Sequence, residues 1–368
     1  MPRPTQTRAA ILTEFGADLE MQEIPLPREL EAGAVLVRIR RATLCGTDVE
    51  IWQGKMDIPG MLPMVLGHEM VGEVIAVGGQ ARDVLGRPIS VGDRLGWSES
   101  TCGECHGCRV LREPVACSAR GYGFLQRSDR PPYATAGLVE TCYVTPRAEK
   151  LLLPDAVDDT LAAMAGCAAK TVLRAFDRAG GVRPGSTVAV QGTGALGIFA
   201  TAVARIAGAG TVVTIGAPAD RLGMASRFGA DAVVDISGGS QATVEAVREA
   251  TGGRGADLVL DFAGAPSVGV EAVAMAAQRG TFVVVGSTGP SSDAIALGSV
   301  MGKELTVVGS LNGDVSDYHH ALGFFDAFGD RMPWHDLFGD PVPLESAGAS
   351  LRAMAGHEAI KAVIDPSL

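Results

Sequence analysis

The sequence predicts an α/β protein: a β-rich first domain followed by a domain with a doubly wound parallel sheet. Three observations carry this expectation. Short β-branched runs broken by Gly, Pro and Asp fill the first part of the chain. Apolar strand-like runs then alternate regularly with amphipathic helical ones from Ser186 onward, and a glycine-rich turn joins the first of those strands to the first of those helices. At 368 residues the chain exceeds the usual size of a single hydrophobic core, so two domains are expected.

In chain order, AVLVRIR (34–40), GEVIAVG (72–78) and DRLGW (93–97) read as strands of a compact β-rich unit spanning 1–160. LAAMAGCAAKTVLRAF (161–176) reads as a helix capped by Asp158 or Thr160, and a domain boundary is expected there. The second domain, 161–305, runs strand STVAVQG, helix ALGIFATAVARIAGA, strand TVVTIG, helix ADRLGMASRFGA, strand AVVD, helix QATVEAVREATG, strand ADLVLDFAG, helix SVGVEAVAMAAQRG and strand TFVVVG. Strands that are apolar on both faces and separated by helices build a parallel sheet covered on both sides. A further strand, LTVVGSL, and a final β segment in EAIKAVIDPSL follow.

Composition narrows the function. Hydrophobic residues make up 47% and charged residues 20%, as in a folded globular protein. With 31 basic against 42 acidic residues the net charge is −11, which disfavours a nucleic-acid partner. The N-terminal MPRPTQTRAAILTEFG lacks an apolar signal core, and no run approaches the ~20 apolar residues of a membrane span. The expectation is a cytoplasmic protein without a membrane partner.

The turn after STVAVQ places Gly192, Gly194 and Gly197 in G-x-G-x-x-G spacing between a strand and an Ala-rich helix. The first glycine permits the tight turn, the second lets the backbone approach a pyrophosphate, and the third allows close packing of the helix on the strand. Ala195 and Leu196 complete the helix start, where the phosphates of a dinucleotide would sit. NAD sites commonly carry an acid at the end of the second strand, but this strand ends in Gly216 with Arg221 shortly after, so NAD and NADP both stay open.

Seven cysteines include four in CGECHGCRVLREPVAC. Cys102, Cys105, Cys108 and Cys117 suit a closed tetrahedral zinc site, with an iron–sulfur cluster or free thiols as alternatives. Cys142 reads as a buried structural thiol. Cys45 in TLCGTDVEIWQG, His68 with Glu69 in LGHEMVGEV, and Cys167 together offer the mixed ligands that hold a catalytic zinc with one position open.

Taken together, CGTD at 45–48, GHE at 67–69, the four-cysteine lobe and GTGALG at 192–197 resemble the zinc-containing medium-chain alcohol dehydrogenase family over nearly the whole chain. The resemblance implies a GroES-like catalytic domain, an inserted Rossmann domain, a return of 306–368 to the first domain, and an active site in the cleft between the domains. It implies two zinc ions per chain, an alcohol or carbonyl substrate, NAD or NADP, and a homodimer or homotetramer. Cys45, His68 and Cys167 would be the catalytic zinc ligands, with Glu69 able to enter or leave the coordination sphere. Asp48 would orient His68, Thr47 would take the alcohol proton, Thr171 would lie at the nicotinamide, and Lys361 near the cofactor phosphates.

The chain departs from the family in places. Glu50 stands where many relatives carry a relay histidine, which suggests a carboxylate relay or a polyol or sugar-like substrate. The cysteine lobe is one residue longer before Cys117. Lys170 is expected on a helix surface. A zinc-independent enoyl or quinone reductase, or a zinc-stabilised binding protein without turnover, are the competing readings.

Overall fold

In the computed structural model, residues 3–56, 60–286, 295 and 297–368 are described. The chain forms two compact units, Met1–Lys170 with Gly313–Leu368, and Thr171–Asn312. The first unit begins with β1 (Gln6–Leu12), β2 (Glu20–Pro25), β3 (Val35–Thr43), α1 (Gly46–Trp52), β4 (Met64–Val65), β5 (Glu69–Val77), β6 (Arg94–Ser100), β7 (Thr141–Val144), β8 (Ala148–Leu152) and α2 (Asp159–Met164). Of these strands only β3, β5 and β6 were expected from sequence; β2, EMQEIP, for example, is mostly exposed and lacks apolar alternation.

Helix α3 (Lys170–Arg178) leads into the second unit. There follow β9 (Thr187–Gln191), α4 (Ala195–Ile206), β10 (Thr211–Gly216), α5 (Ala219–Arg227), β11 (Ala232–Asp235), α6 (Gly239–Ala250), β12 (Ala256–Asp261), α7 (Val268–Met275), β13 (Ala276–Val284), α8 (Leu297–Gly302) and β14 (Thr306–Gly309). The sheet order is β11-β10-β9-β12-β13-β14 and every pairing is parallel. This doubly wound order reverses direction between β9 and β12, which is where such sheets bind ligands beyond the strand ends. Helix α7 stops five residues earlier than its sequence pattern suggests, because Ala276 already pairs with Ala256 and Arg279 takes φ +60°.

The chain then returns to the first unit with α9 (Val315–Phe328), α10 (Ala347–Ala355) and β15 (Val363–Ile364). Strand β3 is the hub there, pairing antiparallel with β5, β7 and β15. The result is a GroES-like antiparallel β unit and a six-stranded parallel Rossmann sheet. Asp158 is the cap of α2, accepting from the amides of Thr160 at 2.8 Å and Leu161 at 3.1 Å. Among the described residues, no helix is long and apolar enough to cross a membrane.

Candidate functional site

The four thiols of the cysteine lobe converge. Cys117 Sγ lies 3.5 Å from Cys102 Sγ, Cys105 Sγ 3.6 Å from Cys108 Sγ, and Cys102 Sγ 4.0 Å from Cys108 Sγ. Zinc–sulfur bonds of ~2.3 Å at tetrahedral angles give edges of ~3.8 Å, so the spacing fits a zinc ion. Backbone amides aim at the sulfurs: those of Cys105 and Cys117's neighbour Cys102 donate at 3.3 Å to Cys102 Sγ and Cys117 Sγ. Amide donation from Cys108 and Ser118 holds the Cys105 thiol down to about 5. With four thiolates around it, an ion here has no position left for substrate. Cys142, in contrast, is fully buried in β7, and burial pushes its thiol up.

The second cluster is assembled from distant segments. Cys45 caps the N-terminus of α1, His68 and Glu69 stand at the start of β5, and Cys167 sits in a wide π-type turn, Ala165–Ala169, between α2 and α3. One ligand atom from each of these four residues lies within 4.8 Å of the others. Helix irregularities of this kind are frequent at functional sites, because the extra residue re-aims a side chain. Gly67, at φ +91°, supplies the left-handed turn that brings the next residue, His68, into the cluster.

Asp48 ties the cluster together. It is wholly buried, and its Oδ1 meets His68 Nδ1 at 3.2 Å and the Gly67 amide at 3.0 Å, while Oδ2 accepts from the Cys45 amide at 2.9 Å. One carboxylate thereby fixes the imidazole tautomer and leaves Nε2 for a metal. Against the cost of burial, Asp48 raises the basicity of His68. Hydrogen bonding from Cys167 and the nearby His68 keeps Cys45 well below the ordinary thiol range, in spite of burial. Thr47 Oγ1 lies 4.0 Å from Cys45 Sγ. Glu50 is exposed as a residue, yet partial desolvation of its carboxyl and the proximity of Cys45 raise its pKa.

Glu69 faces Thr43 across the β3–β5 pairing and takes the Thr43 hydroxyl on Oε2. The same oxygen lies 2.5 Å from Lys361 Nζ, which also donates to Leu44 O at 3.2 Å. Lys361 therefore has another place than the cofactor phosphates expected from its sequence position: its ammonium is 1% exposed and already committed to a carboxylate and a carbonyl. Glu69 Oε1 is buried without a hydrogen-bond partner among the described residues. An orphaned carboxylate oxygen beside two thiols and an imidazole fits a divalent cation.

Lys170 also differs from expectation. It is fully buried, with Nζ 3.1 Å from Ser98 Oγ and 3.0 Å from Glu99 Oε2. Arg120 approaches the same oxygen at 3.2 Å, and these two cations hold the Glu99 carboxyl well below its usual range despite its burial. Phe124 stacks beside the His68 ring at 4.5 Å between centroids. No local signal marked Glu99 or Arg120, since Glu99 meets Lys170 across 71 positions of sequence and Arg120 meets Glu99 across 21.

In the second unit, the three glycines of the turn play distinct parts. A Cβ on Gly197 would lie 1.9 Å from Gly192 O, so helix α4 packs directly on the turn. Gly192, at φ +115°, is crowded by Phe262 and Ala263 backbone within 3.1 Å. Nothing lies within 4 Å of a Cβ on Gly194, the residue capping α4, and Ala195 and Leu196 form the first turn after it. That open space at a helix N-terminus is a cradle for a phosphate. At Gly216 a Cβ would meet Thr193 Oγ1 at 2.6 Å, and Thr193 is held by its 2.7 Å bond to Ala217 O. Packing against Thr193 thus excludes the acidic side chain common at this strand end. Arg221 lies in the first turn of α5 at 8% exposure, and Thr171 is buried in the first turn of α3.

Comparison with known proteins agrees with this arrangement. Residues 31–155 match the alcohol dehydrogenase GroES-like domain model and residues 195–327 the zinc-binding dehydrogenase model. The chain is 31% identical to a 5-exo-hydroxycamphor dehydrogenase of Pseudomonas putida, over 98% of this chain and 99% of that one. It is 36% identical to a probable alcohol dehydrogenase of Mycobacterium tuberculosis, covering 95% and 94% of the two chains. An alcohol dehydrogenase of Thermotoga maritima superimposes with a TM-score of 0.90 at 29% identity, covering 98% of this chain and 99% of that one. A putative zinc-binding dehydrogenase of Sinorhizobium meliloti, bound to NADP, gives a TM-score of 0.84 at 25% identity, covering 99% and 100%. With its two domain models, its full-length relatives and its two converging ligand clusters, the chain belongs to the zinc-binding medium-chain alcohol dehydrogenase family and is an alcohol dehydrogenase-type oxidoreductase.

Proposed function

We propose that the protein transfers a hydride reversibly between a secondary alcohol and NAD or NADP. In this reading Cys45, His68 and Cys167 hold a catalytic zinc, and Cys102, Cys105, Cys108 and Cys117 hold a structural one. The observation that carries it is the contrast between the two clusters: four thiols that close a coordination sphere, and a mixed set in which Glu69 is the fourth group, held by Lys361. When bound, zinc supplies Lewis acidity toward an alcohol or carbonyl oxygen, and the nicotinamide accepts or returns the hydride.

The chain's own residues do the remaining work. Asp48 keeps His68 in the tautomer with Nε2 free and holds the Cys45 amide, which sets two ligands at once. Thr47 takes the substrate hydroxyl proton, and Glu50, whose basicity is raised by partial desolvation and the nearby Cys45, passes it to solvent. Gly192, Gly194 and Gly197 with the amides of Ala195 and Leu196 receive the cofactor pyrophosphate, and Thr171 contacts the nicotinamide. Without an acid at Gly216, and with Arg221 next to Asp220 in the first turn of α5, neither cofactor is excluded and both serve. Strand β14 is an edge strand exposing Val307 at 41%, with Leu297, Met301 and Leu311 exposed on neighbouring segments, which supports pairing of two copies into a homodimer or homotetramer.

The test is metal analysis with nicotinamide absorbance on a panel of alcohols and ketones, using both cofactors. Two zinc ions per chain and turnover are expected, with Cys45→Ser retaining one zinc and losing turnover. An active Cys45→Ser variant would favour a zinc-independent reductase. Bound zinc without turnover of any panel member would favour a binding protein.

A further inference from the structure

The first unit contains a cavity of about 220 Å³ that opens on His68 and on Gly166, the neighbour of Cys167. Four rings, Trp97, Tyr122, Phe124 and Tyr143, line it with Met70, alongside polar side chains such as Ser100, Gln126 and Thr135. Phe124 lies 4.5 Å from the His68 ring at a tilt of 31°, and Tyr122 meets Phe124 edge-on at 5.8 Å. Apart from His68, Glu99 is the one charged side chain among the described lining residues, and its Oε2 is engaged by Lys170, Arg120 and Ser98. That carboxylate is therefore occupied by the protein's own cations.

We propose that this cavity receives the apolar ring of an alicyclic or aromatic alcohol, with Phe124 and Tyr122 as the residues that determine this specificity. The proposal rests on the reading of the site as an alcohol dehydrogenase and names its substrate class. Size agrees: an apolar cavity of roughly 150 Å³ holds benzene, so the space here admits a six-membered or bicyclic ring. Chemistry agrees as well. A polyol would bring hydroxyls against the ring faces on the His68 side, and each hydroxyl left unpaired there would count against binding. Glu50 alone suggested a hydroxylated substrate, but the wall beside His68 is aromatic. A ring packed edge-on or offset against Phe124 gains dispersion and ring–ring contact that a polyol cannot.

The zinc-loaded full chain is titrated with cyclohexanol, 2-propanol and sorbitol, following tryptophan fluorescence as well as turnover. Cyclohexanol should bind most tightly and sorbitol least, with the cyclohexanol-induced fluorescence change lost in Trp97→Phe. In turnover, kcat/KM for cyclohexanol should exceed that for 2-propanol by roughly 10–200-fold, the span that a single well-placed methylene supplies in an apolar pocket. Phe124→Ala, or Phe124→Leu where the alanine variant does not fold, should reduce that ratio at least several-fold. Sorbitol binding as tightly as cyclohexanol, a response that survives Trp97→Phe, or an unchanged ratio in the Phe124 variant would each overturn the proposal. Absence of turnover with every alcohol and both cofactors would overturn the dehydrogenase reading instead, and the binding order would still decide the ring proposal.

Discussion

Replacing Lys361 with methionine removes the cation from a pair in which both groups are at most 1% exposed. In metal-free protein Glu69 would keep the Thr43 hydroxyl on Oε2, but Oε1 lacks a partner among the described residues, so the carboxylate would be left buried and largely uncompensated. Breaking a buried pair by removing one partner costs about 3–5 kcal/mol. At roughly 2–4 °C per kcal/mol for a unit of this size, the melting temperature should fall by roughly 6–20 °C. The sign of the pH dependence follows from the groups. Burial already raises the Glu69 pKa, with Lys361 working against it; without Lys361 it rises further, so the variant's deficit is largest at neutral pH and shrinks as acid protonates the carboxyl. In the wild type the Lys361 pKa is raised by Glu69 against burial, so its contribution persists below ~10.4 and is lost only as pH climbs through the higher folded value. Thermal unfolding followed by circular dichroism, at neutral pH and near pH 5, reads both effects. The double variant Lys361→Met/Glu69→Gln should recover more than half the loss, because it removes the stranded charge. A single variant melting within about 2 °C of wild type, or a double variant no more stable than the single, would refute the reasoning.

Three further outcomes follow from the same geometry. Cys105→Ser should lower the zinc content by one ion per chain and loosen the 102–117 lobe to proteolysis, while Cys45→Ser should leave that lobe intact; metal analysis with limited proteolysis distinguishes them. Glu50→Gln should abolish the acid limb of the pH–rate profile for alcohol oxidation. In the proposed relay the ionised carboxylate is the proton acceptor and its pKa is raised, so the wild-type rate should fall as pH drops through a midpoint above the usual carboxylate range. Gly194→Val should fold normally but weaken cofactor binding at least tenfold, since open space surrounds its Cβ position, whereas Gly197→Ala should lower thermal stability because its Cβ would overlap Gly192 O. Calorimetric titration with NAD and NADP, beside thermal melts, separates the two effects.

Much of the fold was legible in sequence because its signals are local. The alternation from β9 to β14 comes from apolar strands and amphipathic helices within one window, and the G-x-G-x-x-G turn is read from six consecutive residues. The cysteine lobe is equally local, its four ligands falling within sixteen positions, so spacing alone pointed to a closed zinc site. Cys45, His68 and Cys167 were recognised through the motifs around them, although only the fold shows that their ligand atoms converge. What sequence could not reach depends on pairing between distant strands. Lys361 meets Glu69 because β15 and β5 flank β3, a register that no periodicity in EAIKAVIDPSL encodes. Lys170 looked like a helix-surface lysine because helix pattern specifies a face and not a partner, whereas Ser98 and Glu99 at the end of β6 decide its burial. The aromatic cavity is likewise tertiary, since its walls come from loops and strands separated in sequence. Local sequence thus determined the family chemistry expected of this protein, its candidate metal ligands and its glycine-rich turn. The long-range strand register decided the counter-ion of Glu69 and the character of the space beside His68, because those contacts exist only once the sheet has closed.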